Sequence, residues 1–298
     1  MPFPAAFPQE LLDRFVDCLS VELRRFKRTN TAHEVNKRAL LNCSQASSAL
    51  YYRATRGLFS RLFIKTPSQE APRRFSALVK ILTPSLATSY TGVRLGVAHH
   101  IVEFYILLYG RSCLGAGVHD TCLAKEDAVK ALNYDTLVSI LSKLHTAEYG
   151  ITKFSLTWGT PCCQISWANL SPQFQQSFRD LILSPYINYL ELLGEFSNIP
   201  GSTFSGSKMR HLQINSLNLE SDNQAEPAVI PPVELPNLES FCTNYSFDID
   251  LSPTTSPLTE LKKMKAINIA PDHLSRTERI LRLATNSLQD VTVQFHGK

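Results

Sequence analysis

The sequence predicts an α/β protein in which an N-terminal module of three short helices precedes an irregular solenoid of parallel strands alternating with helices. Two observations predict this organisation. Apolar residues recur at helical spacing in the first 64 residues, and a six-residue apolar pattern typical of short buried strands recurs beyond residue 100. Stretches with helical spacing lie between these strand patterns. We therefore divide the chain into residues 1–64 and residues 65–298.

The first predicted helix begins near Phe7 and carries a stripe of apolar residues at helical spacing: Phe7, Leu11, Leu12, Phe15, Val16 and Leu19. Pro8 suits the first turn because proline lacks the N–H group that would be unpaired there. Residues 20–37 are polar and basic, which predicts a loop or a mobile short helix. Two further stripes complete the module of three helices: Ala39, Cys43, Ala46 and Leu50, then Leu58, Phe59, Leu62 and Phe63.

Beyond residue 100, six segments carry the pattern apolar-x-x-apolar-x-apolar, and they begin at Ile101, Ile151, Ile187, Met209, Met264 and Leu288. A weaker seventh segment begins at Leu238. A helix is predicted before Ile187, because Ser171 can cap it and Pro172 can occupy its first position. Its apolar stripe is Phe174, Phe178, Leu181 and Ile182. Another helix is predicted before Ile151 from Val129, Leu132, Leu137, Ile140, Leu141 and Leu144. Residues 218–236 combine acidic residues and prolines without a regular period, which predicts an exposed loop.

The composition is that of a folded protein rather than a disordered chain or a coiled coil. Apolar residues make up 44% and charged residues 19% of the 298 residues. The longest mostly apolar stretch, 92–110, carries Arg94 and Glu103, so we predict no transmembrane helix. The first ten residues, MPFPAAFPQE, lack the basic and apolar regions of a signal peptide. We therefore expect a cytoplasmic or nuclear protein without a membrane partner.

Charge is distributed unevenly along the chain. Residues 1–80 hold 14 Lys or Arg and 6 Asp or Glu, a net charge of +8; subtracting these from the totals of 30 and 26 leaves 16 and 20, a net charge of −4. A basic region can bind nucleic acid or an acidic protein, and charge alone does not distinguish them. The basic run 24–28 could contact phosphates or form a solvated surface. It lacks regular alternation with aromatic residues, so we predict no nucleic-acid partner.

Cysteine and histidine residues do not form a recognisable catalytic or metal site. Seven cysteines are spread along the chain, which favours reduced, mostly buried thiols over a disulfide framework. Cys113, His119 and Cys122 are possible zinc ligands, but their spacing fits no common zinc module. His99 and His100 lie beside a predicted strand, where neighbouring side chains point to opposite faces. We therefore predict no metal, no cofactor and no catalytic residue.

The N-terminal segments FPQELLDRFVDCL and ALLNCSQASSALYYRATRGLFSRLFI resemble an F-box of the form common in large fungal families. The apolar-Pro-x-Glu-Leu start carries the resemblance, followed in order by the residues Leu40, Cys43, Ser44, Ser47, Arg56, Leu58 and Phe59. An F-box implies docking on the Skp-type adaptor of a cullin-RING ubiquitin ligase. The residues implied in this contact are Pro8, Leu11, Leu12, Phe15, Val16, Leu19, Leu40, Cys43 and Leu50. The same apolar residues could instead hold the three helices together.

Strands that recur at intervals of about 20–29 residues are typical of a leucine-rich-repeat solenoid. The segment MKAINIAPDHL from Met264 is the better copy, and the other segments are degenerate. This also resembles the fungal F-box families, in which degenerate leucine-rich repeats follow the box. The combined resemblance implies a non-enzymatic substrate receptor of an SCF-type ubiquitin ligase, with a target protein bound by the repeats. The alternatives are an interaction scaffold outside any ligase, with a vestigial F-box, and an enzyme with scattered catalytic residues.

Overall fold

The computed structural model describes residues 14, 16–18, 31–46, 48–83, 97–110, 123–146, 148–159, 164–194, 196–200, 203–220, 237–248, 261–269 and 274–295. The chain forms two compact units. The N-terminal unit comprises Met1–Leu62 and Thr83–Val102, and the sheet unit comprises Phe63–Leu82 and Glu103–Lys298. The basic run 24–28 and the group Cys113, His119 and Cys122 lie outside the described residues.

Helices build the described part of the N-terminal unit. Residues 14 and 16–18 are helical, α1 spans Thr31–Ala46, and α2 spans Ser48–Phe59. Of the segment 20–37, for which the sequence predicts a loop or a mobile short helix, residues 31–37 belong to α1 and the rest lies outside the described residues. Three fully buried residues form the core of this unit, with further apolar residues packed against them: Val16, Leu40 and Ala54, then Cys43, Leu50 and Leu58.

The described residues of the sheet unit form five α-helices and nearly all of the strands. The helices of its described residues are α3 (Ala71–Leu82), α4 (Leu123–Leu132), α5 (Asp135–Lys143), α6 (Pro172–Leu183) and α7 (Leu274–Leu283). The strands are β1 (Arg61–Pro67), β2 (Glu103–Tyr109), β3 (Lys153–Trp158), β4 (Ile165–Ser166), β5 (Tyr189–Leu193), β6 (Phe196–Pro200), β7 (His211–Glu220), β8 (Ser240–Asp248), β9 (Lys263–Ile269) and β10 (Asp290–Phe295).

The long strands lie side by side in chain order, as β1-β2-β3-β5-β7-β8-β9-β10. Each neighbouring pair from β2 to β10 is parallel. All seven segments predicted to be strands are strands, which confirms the α/β class. The predicted third N-terminal helix is wrong beyond Phe59, because Leu62 and Phe63 belong to β1. Residues 218–220, predicted to begin a loop, instead extend β7, and 221–236 lie outside the described residues.

One hydrogen-bond arrangement recurs where five successive strands begin. The carbonyl of Thr152 accepts N–H groups of Asn188 and Tyr189, and the carbonyl of Asn188 accepts those of Arg210 and His211. The same pairing follows at the carbonyls of Arg210, Glu239 and Lys262. We call these five carbonyls the start rungs. Each start rung joins one strand to the beginning of the next, so residues of equal position align at the starts of the long strands from β3 to β10.

The helices cover one face of the sheet. Phe154 of β3 contacts Phe178 of α6, with ring centroids 6.0 Å apart, and Trp167 lies 5.2 Å from Phe178. The prediction for α6 is confirmed in detail: the Ser171 hydroxyl accepts the N–H of Phe174 at 3.2 Å, and Pro172 occupies the first turn. All four residues of the predicted stripe are buried.

The single helix predicted over 129–144 is two helices, α4 and α5, because the chain turns at Asn133. The N–H of Asn133 bonds the carbonyls of Val129 and Lys130, which ends α4. Its side chain donates to the carbonyl of Asn169 at 3.0 Å and accepts the N–H of Ser171 at 2.6 Å. Asn133 therefore joins the end of α4 to the start of α6, a role that apolar periodicity does not reveal. Among the described helices, none has the length and apolar character needed to cross a membrane.

Gly194 separates β5 from β6 and lies against the neighbouring strand β3. Its φ of +124° is in a region that residues with a side chain rarely adopt. A Cβ atom there would lie 2.7 Å from the carbonyl oxygen of Trp158. Glycine is required at this position for two reasons, the backbone conformation and the close approach of β3.

Gly194→Ala should reduce the free energy of unfolding by about 3 kcal/mol, because it combines an unfavourable φ with overlap against Trp158. Gly206 is the matched control, since its φ is +85° but the nearest atom to an added Cβ is 3.8 Å away. Gly206→Ala should cost only about 1 kcal/mol. Urea denaturation of both variants checks the difference, and equal losses would refute the role of close packing at Gly194.

A buried imidazole lies in the N-terminal unit. His99 and His100 occupy a short 3-10 helix, Val97–His100, and their ring centroids are 3.8 Å apart. The prediction that they point to opposite faces is wrong because the backbone there is not a strand. The ring of Tyr52 packs edge-on against His100 at 4.8 Å. Burial, with the charges of His99 and Arg56, lowers the pKa of His100 to about 4.

The stability of the N-terminal unit should therefore fall as the pH is lowered from about 6.5 to about 4. The unfolded chain binds a proton at His100 near its ordinary pKa of 6.5, whereas the folded chain resists protonation until about 4. The difference is on the order of 3 kcal/mol. Chemical denaturation of the wild type and of His100→Gln across this pH range isolates the effect. An identical pH dependence in both proteins would contradict it.

Candidate functional site

The face of the sheet opposite the helices carries polar and aromatic side chains in register. Along β2, the residues Phe104, Ile106 and Leu108 are buried, whereas Glu103 and Tyr105 are half-exposed. The same alternation continues along β5, β7 and β8. We call the face that carries the half-exposed residues the open face. Its described polar and aromatic members include Glu103, Tyr105, Lys153, Tyr189, Glu191, His211, Gln213, Cys242, Lys263 and Lys265.

Four rings and one amine form a continuous row across this face. Phe63 and Tyr105 have ring centroids 6.0 Å apart, and the amine of Lys153 lies 5.2 Å from the Tyr105 centroid. The same amine lies 3.9 Å from the centroid of Tyr189, whose ring is 5.7 Å from that of His211. We call these residues the ring row. It crosses five strands, with one member on each of β1, β2, β3, β5 and β7. Lys153, Tyr189 and His211 share one register position, and Tyr105 lies two residues further along its strand.

Lys153 is the centre of the ring row. Besides its two ring contacts, its Nζ lies 3.7 Å from Oε2 of Glu191, and the two side chains are 24% and 15% exposed. An ammonium over an aromatic face gains about 0.5–2 kcal/mol, with the larger values where water is excluded. The positive charge of Lys153 is therefore balanced locally, and the centre of the open face has no strong preference for either sign of charge.

Hydrogen bonds hold the two tyrosines of the ring row in fixed orientations. The hydroxyl of Tyr105 donates to Oε2 of Glu103 at 2.6 Å, and that of Tyr189 donates to Oε1 of Gln213 at 2.9 Å. Burial raises the pKa of Tyr189, and the nearby carboxylate of Glu191 adds to this shift. Tyr189 therefore remains a neutral donor at physiological pH, and its ring offers a rigid apolar surface.

Burial shifts the pKa values of two other groups of the open face, Cys242 and His211. Burial raises the pKa of the Cys242 thiol, which disfavours the nucleophilic thiolate. Burial also lowers the pKa of His211, which keeps the imidazole neutral. A hydrogen bond from Arg210 lowers the pKa of Glu239 at the edge of this face. The rings and fixed hydroxyls of the open face are suited to binding through stacking and hydrogen bonds.

A cleft of about 270 Å³ lies beside α6 and is lined by Trp167, Pro172, Gln175, Gln176, Arg179, Pro200 and Thr203. The amide nitrogen of Gln175 is already committed, since it donates to the carbonyls of Trp167 and Leu170. Arg179 supplies the one charged side chain in this lining. Among the described residues, no group of three or more His, Cys, Asp or Glu side chains could hold a metal ion.

The contact residues that the sequence predicts in the N-terminal unit differ in how far they are buried. Val16 and Leu40 have no exposed surface and belong to the internal core. Cys43 and Leu50 are half-buried against that core. The remaining predicted contacts lie outside the described residues: Pro8, Leu11, Leu12, Phe15 and Leu19. The described cysteines Cys18, Cys43 and Cys242 are free, and none is fully buried, so the expectation of buried thiols is wrong for them.

Other apolar side chains of the N-terminal unit are exposed. Val35 is 64% and Leu41 is 42% exposed on α1, and Tyr51 and Tyr52 are 42% and 58% exposed on α2. We call these four residues the exposed apolar set. Sequence reasoning missed them because they do not follow the helical stripe that it used. It also missed the ring row, whose members lie between the apolar positions of the strands.

Comparison of the chain with models of protein families, with curated proteins and with solved structures finds no match.

The Lys153 and Glu191 pair should show a measurable coupling. We expect Lys153→Met and Glu191→Gln each to destabilise the sheet unit, and the double variant to recover about 1 kcal/mol relative to the sum of the two losses. The reason is that each single variant leaves its partially buried partner without an opposite charge. Urea denaturation of the four proteins measures the coupling. Additive losses would show that the two side chains do not interact.

Proposed function

We propose that this chain is the substrate-recognition subunit of a cullin-RING ubiquitin ligase of the SCF type. In this proposal the N-terminal unit docks on the Skp-type adaptor, and the open face of the sheet binds the target protein. The observation that carries the adaptor contact is the exposed apolar set, which leaves four large apolar side chains of a small helical unit in contact with solvent. The resemblance of the same segment to an F-box is the reason for proposing a Skp-type adaptor as the partner.

The charge of the N-terminal unit supports a protein partner that is acidic. Lys37 and Arg38 are exposed on α1 between Val35 and Leu41, so basic and apolar side chains share one helix surface. A partner that combines apolar and acidic side chains is complementary to this surface. The core of the unit is small, and units of this size gain stability when a partner covers part of their apolar surface.

The topology of the sheet supports the target-binding half of the proposal. Strands in chain order and parallel register are what a solenoid of repeats requires, and the degenerate leucine-rich-repeat pattern predicts that architecture. The ring row offers rigid aromatic surface at low cost in conformational entropy, a property shared by many protein-binding surfaces. Half-buried tyrosines with fixed hydroxyls are suited to contact a folded protein or an extended segment of one.

The proposed mechanism is proximity, and it assigns no chemical step to this chain. The adaptor would hold the receptor in a fixed position, and the receptor would present its target to a ubiquitin-charged enzyme carried by other subunits. Raising the local concentration of two reactants accelerates their reaction without any catalytic group on the scaffold. A cytoplasmic or nuclear location, and the absence of a metal or cofactor, remain predictions that belong to this proposal.

A second candidate is an interaction scaffold outside any ligase. It is favoured by the complete burial of Val16 and Leu40, two residues that the F-box resemblance assigns to the adaptor contact. In this alternative the N-terminal apolar residues serve only to pack their own unit. Replacement of residues of the exposed apolar set distinguishes the two, because a unit whose apolar residues only pack its own core would lose no partner when exposed side chains are changed.

Co-purification of the full chain with a Skp-type adaptor tests the proposal. We expect Leu41→Asp and Tyr51→Asp each to reduce adaptor recovery at least tenfold, because each would place an unpaired charge in an apolar contact. Both positions are exposed, so the fold should persist. Ile81→Asp is the matched control: Ile81 is 47% exposed on α3 of the sheet unit, and its replacement should leave adaptor binding unchanged.

Two outcomes would contradict the ligase proposal. If the wild-type chain does not co-purify with the adaptor, the scaffold function is favoured instead. If the wild type binds and both variants bind equally well, the exposed apolar set is not the contact. Circular dichroism of each variant confirms that a loss of binding is not a loss of folding.

A further inference from the structure

The last strand of the sheet has an open edge. In the part of the chain that the structure describes, β10 pairs with β9 alone and ends the order of the sheet. An unpaired edge presents a row of free N–H and C=O groups that can pair with another strand. Proteins commonly protect such edges with lysine, proline or a short strand length.

The two ends of the sheet differ in this protection. At the first end, β1 carries the exposed residues Arg61 and Lys65 and finishes at Pro67. At the other end, β10 reads Asp-Val-Thr-Val-Gln-Phe, with a single charged residue, Asp290, at its start. The pattern is that of a strand with high β-propensity and no protecting lysine or proline. The β10 edge is therefore the one suited to strand pairing.

A row of apolar side chains on the helix-covered face ends at this edge, where its last member is exposed to solvent. Parallel register aligns Phe104, Phe154, Leu190, Leu212, Phe241, Met264 and Val291. The first six are buried, whereas Val291 is 46% exposed. Val293, two residues along β10, is half-exposed on the same side. Additional apolar surface beside β10 would therefore remove both valines from water.

The hydrogen bonds of β10 show which of its residues face the open edge. The N–H of Asp290 bonds the carbonyl of Lys262, so Asp290 points its backbone groups toward β9. Backbone direction alternates along a strand, so Thr292 also faces β9. Val291 and Val293 then direct their N–H and C=O groups to the free edge.

We propose that β10 pairs antiparallel with β10 of a second copy of this chain and forms a two-fold symmetric dimer. Centred on Thr292, this register places Val291 opposite Val293 of the other copy, as a hydrogen-bonded pair, and Thr292 opposite its own equivalent. Asp290 then lies opposite Gln294, whose amide can donate to the carboxylate. Every position of the strand is complementary to its counterpart, which is what a self-paired, isologous interface requires.

The charge on β10 selects this orientation. In a parallel, in-register pair the two Asp290 carboxylates would lie opposite each other, and like charges at that position are destabilising. The antiparallel pair places them at opposite ends of the interface. Pairing of β10 with β1 of another copy would form a head-to-tail assembly, either a closed ring or an open filament. Arg61, Lys65 and Pro67 on β1 disfavour that outcome.

Sedimentation velocity of the full chain over a range of concentrations tests the proposal. We expect a reversible monomer–dimer equilibrium in the wild type. Val293→Pro removes an N–H group that faces the free edge and leaves the ladder to β9 intact, so it should weaken dimerisation at least tenfold without lowering the thermal stability. Thr292→Pro is the matched control. The N–H of Thr292 faces β9, so its removal should destabilise the fold.

A charge exchange at the symmetry axis provides a second test that does not depend on proline. Thr292→Lys places two lysines opposite each other, so this variant should be monomeric, and Thr292→Glu should behave in the same way. An equimolar mixture of the two should dimerise again. A wild type that stays monomeric at the highest concentration, a dimer that persists in Val293→Pro, or a mixture that does not associate would each overturn the proposal.

Discussion

The sheet depends on the start rungs, in which one carbonyl before a strand accepts two N–H groups from the beginning of the next. A parallel strand that slipped by one residue would move all its side chains to the opposite face. Because the rung recurs at Thr152, Asn188, Arg210, Glu239 and Lys262, the register is set again at every step. The buried apolar row and the ring row both follow from this alignment, since each takes one side chain from each of several strands.

The two faces of the sheet have different physical roles. The helix-covered face is apolar, and the aromatic cluster of Phe154, Trp167, Phe174 and Phe178 ties α6 to the strands. The open face places charges among aromatic rings and balances them, as at Lys153 and Glu191. Half-buried tyrosines with engaged hydroxyls, a protonated thiol and a neutral imidazole form a surface for binding. This contrast agrees with the proposed recognition function.

In the N-terminal unit, apolar side chains are divided between the internal core and solvent. Val16, Leu40 and Ala54 close the core, while the exposed apolar set lies on the outer surfaces of α1 and α2. Apolar spacing treats both groups alike, because periodicity reports which residues are apolar and not which neighbour covers them. The proposed adaptor contact therefore shifts, within the described residues, from the stripe that the resemblance implies to side chains that the fold leaves exposed.

The sequence by itself determined the α/β class, the seven strands that carry the apolar pattern, and the capped helix at Ser171, since each depends on local spacing or capping chemistry. It did not determine β1, β4 or β6, the break at Asn133, or the proximity of His99 and His100. Several of these features depend on residues far apart in the chain, such as Asn133 with Ser171 and Gly194 with Trp158. The proximity of His99 and His100 instead follows from the 3-10 helix that holds them. Only the tertiary structure decided the ring row and the open edge of β10, because both arise from the order and register in which the strands pair.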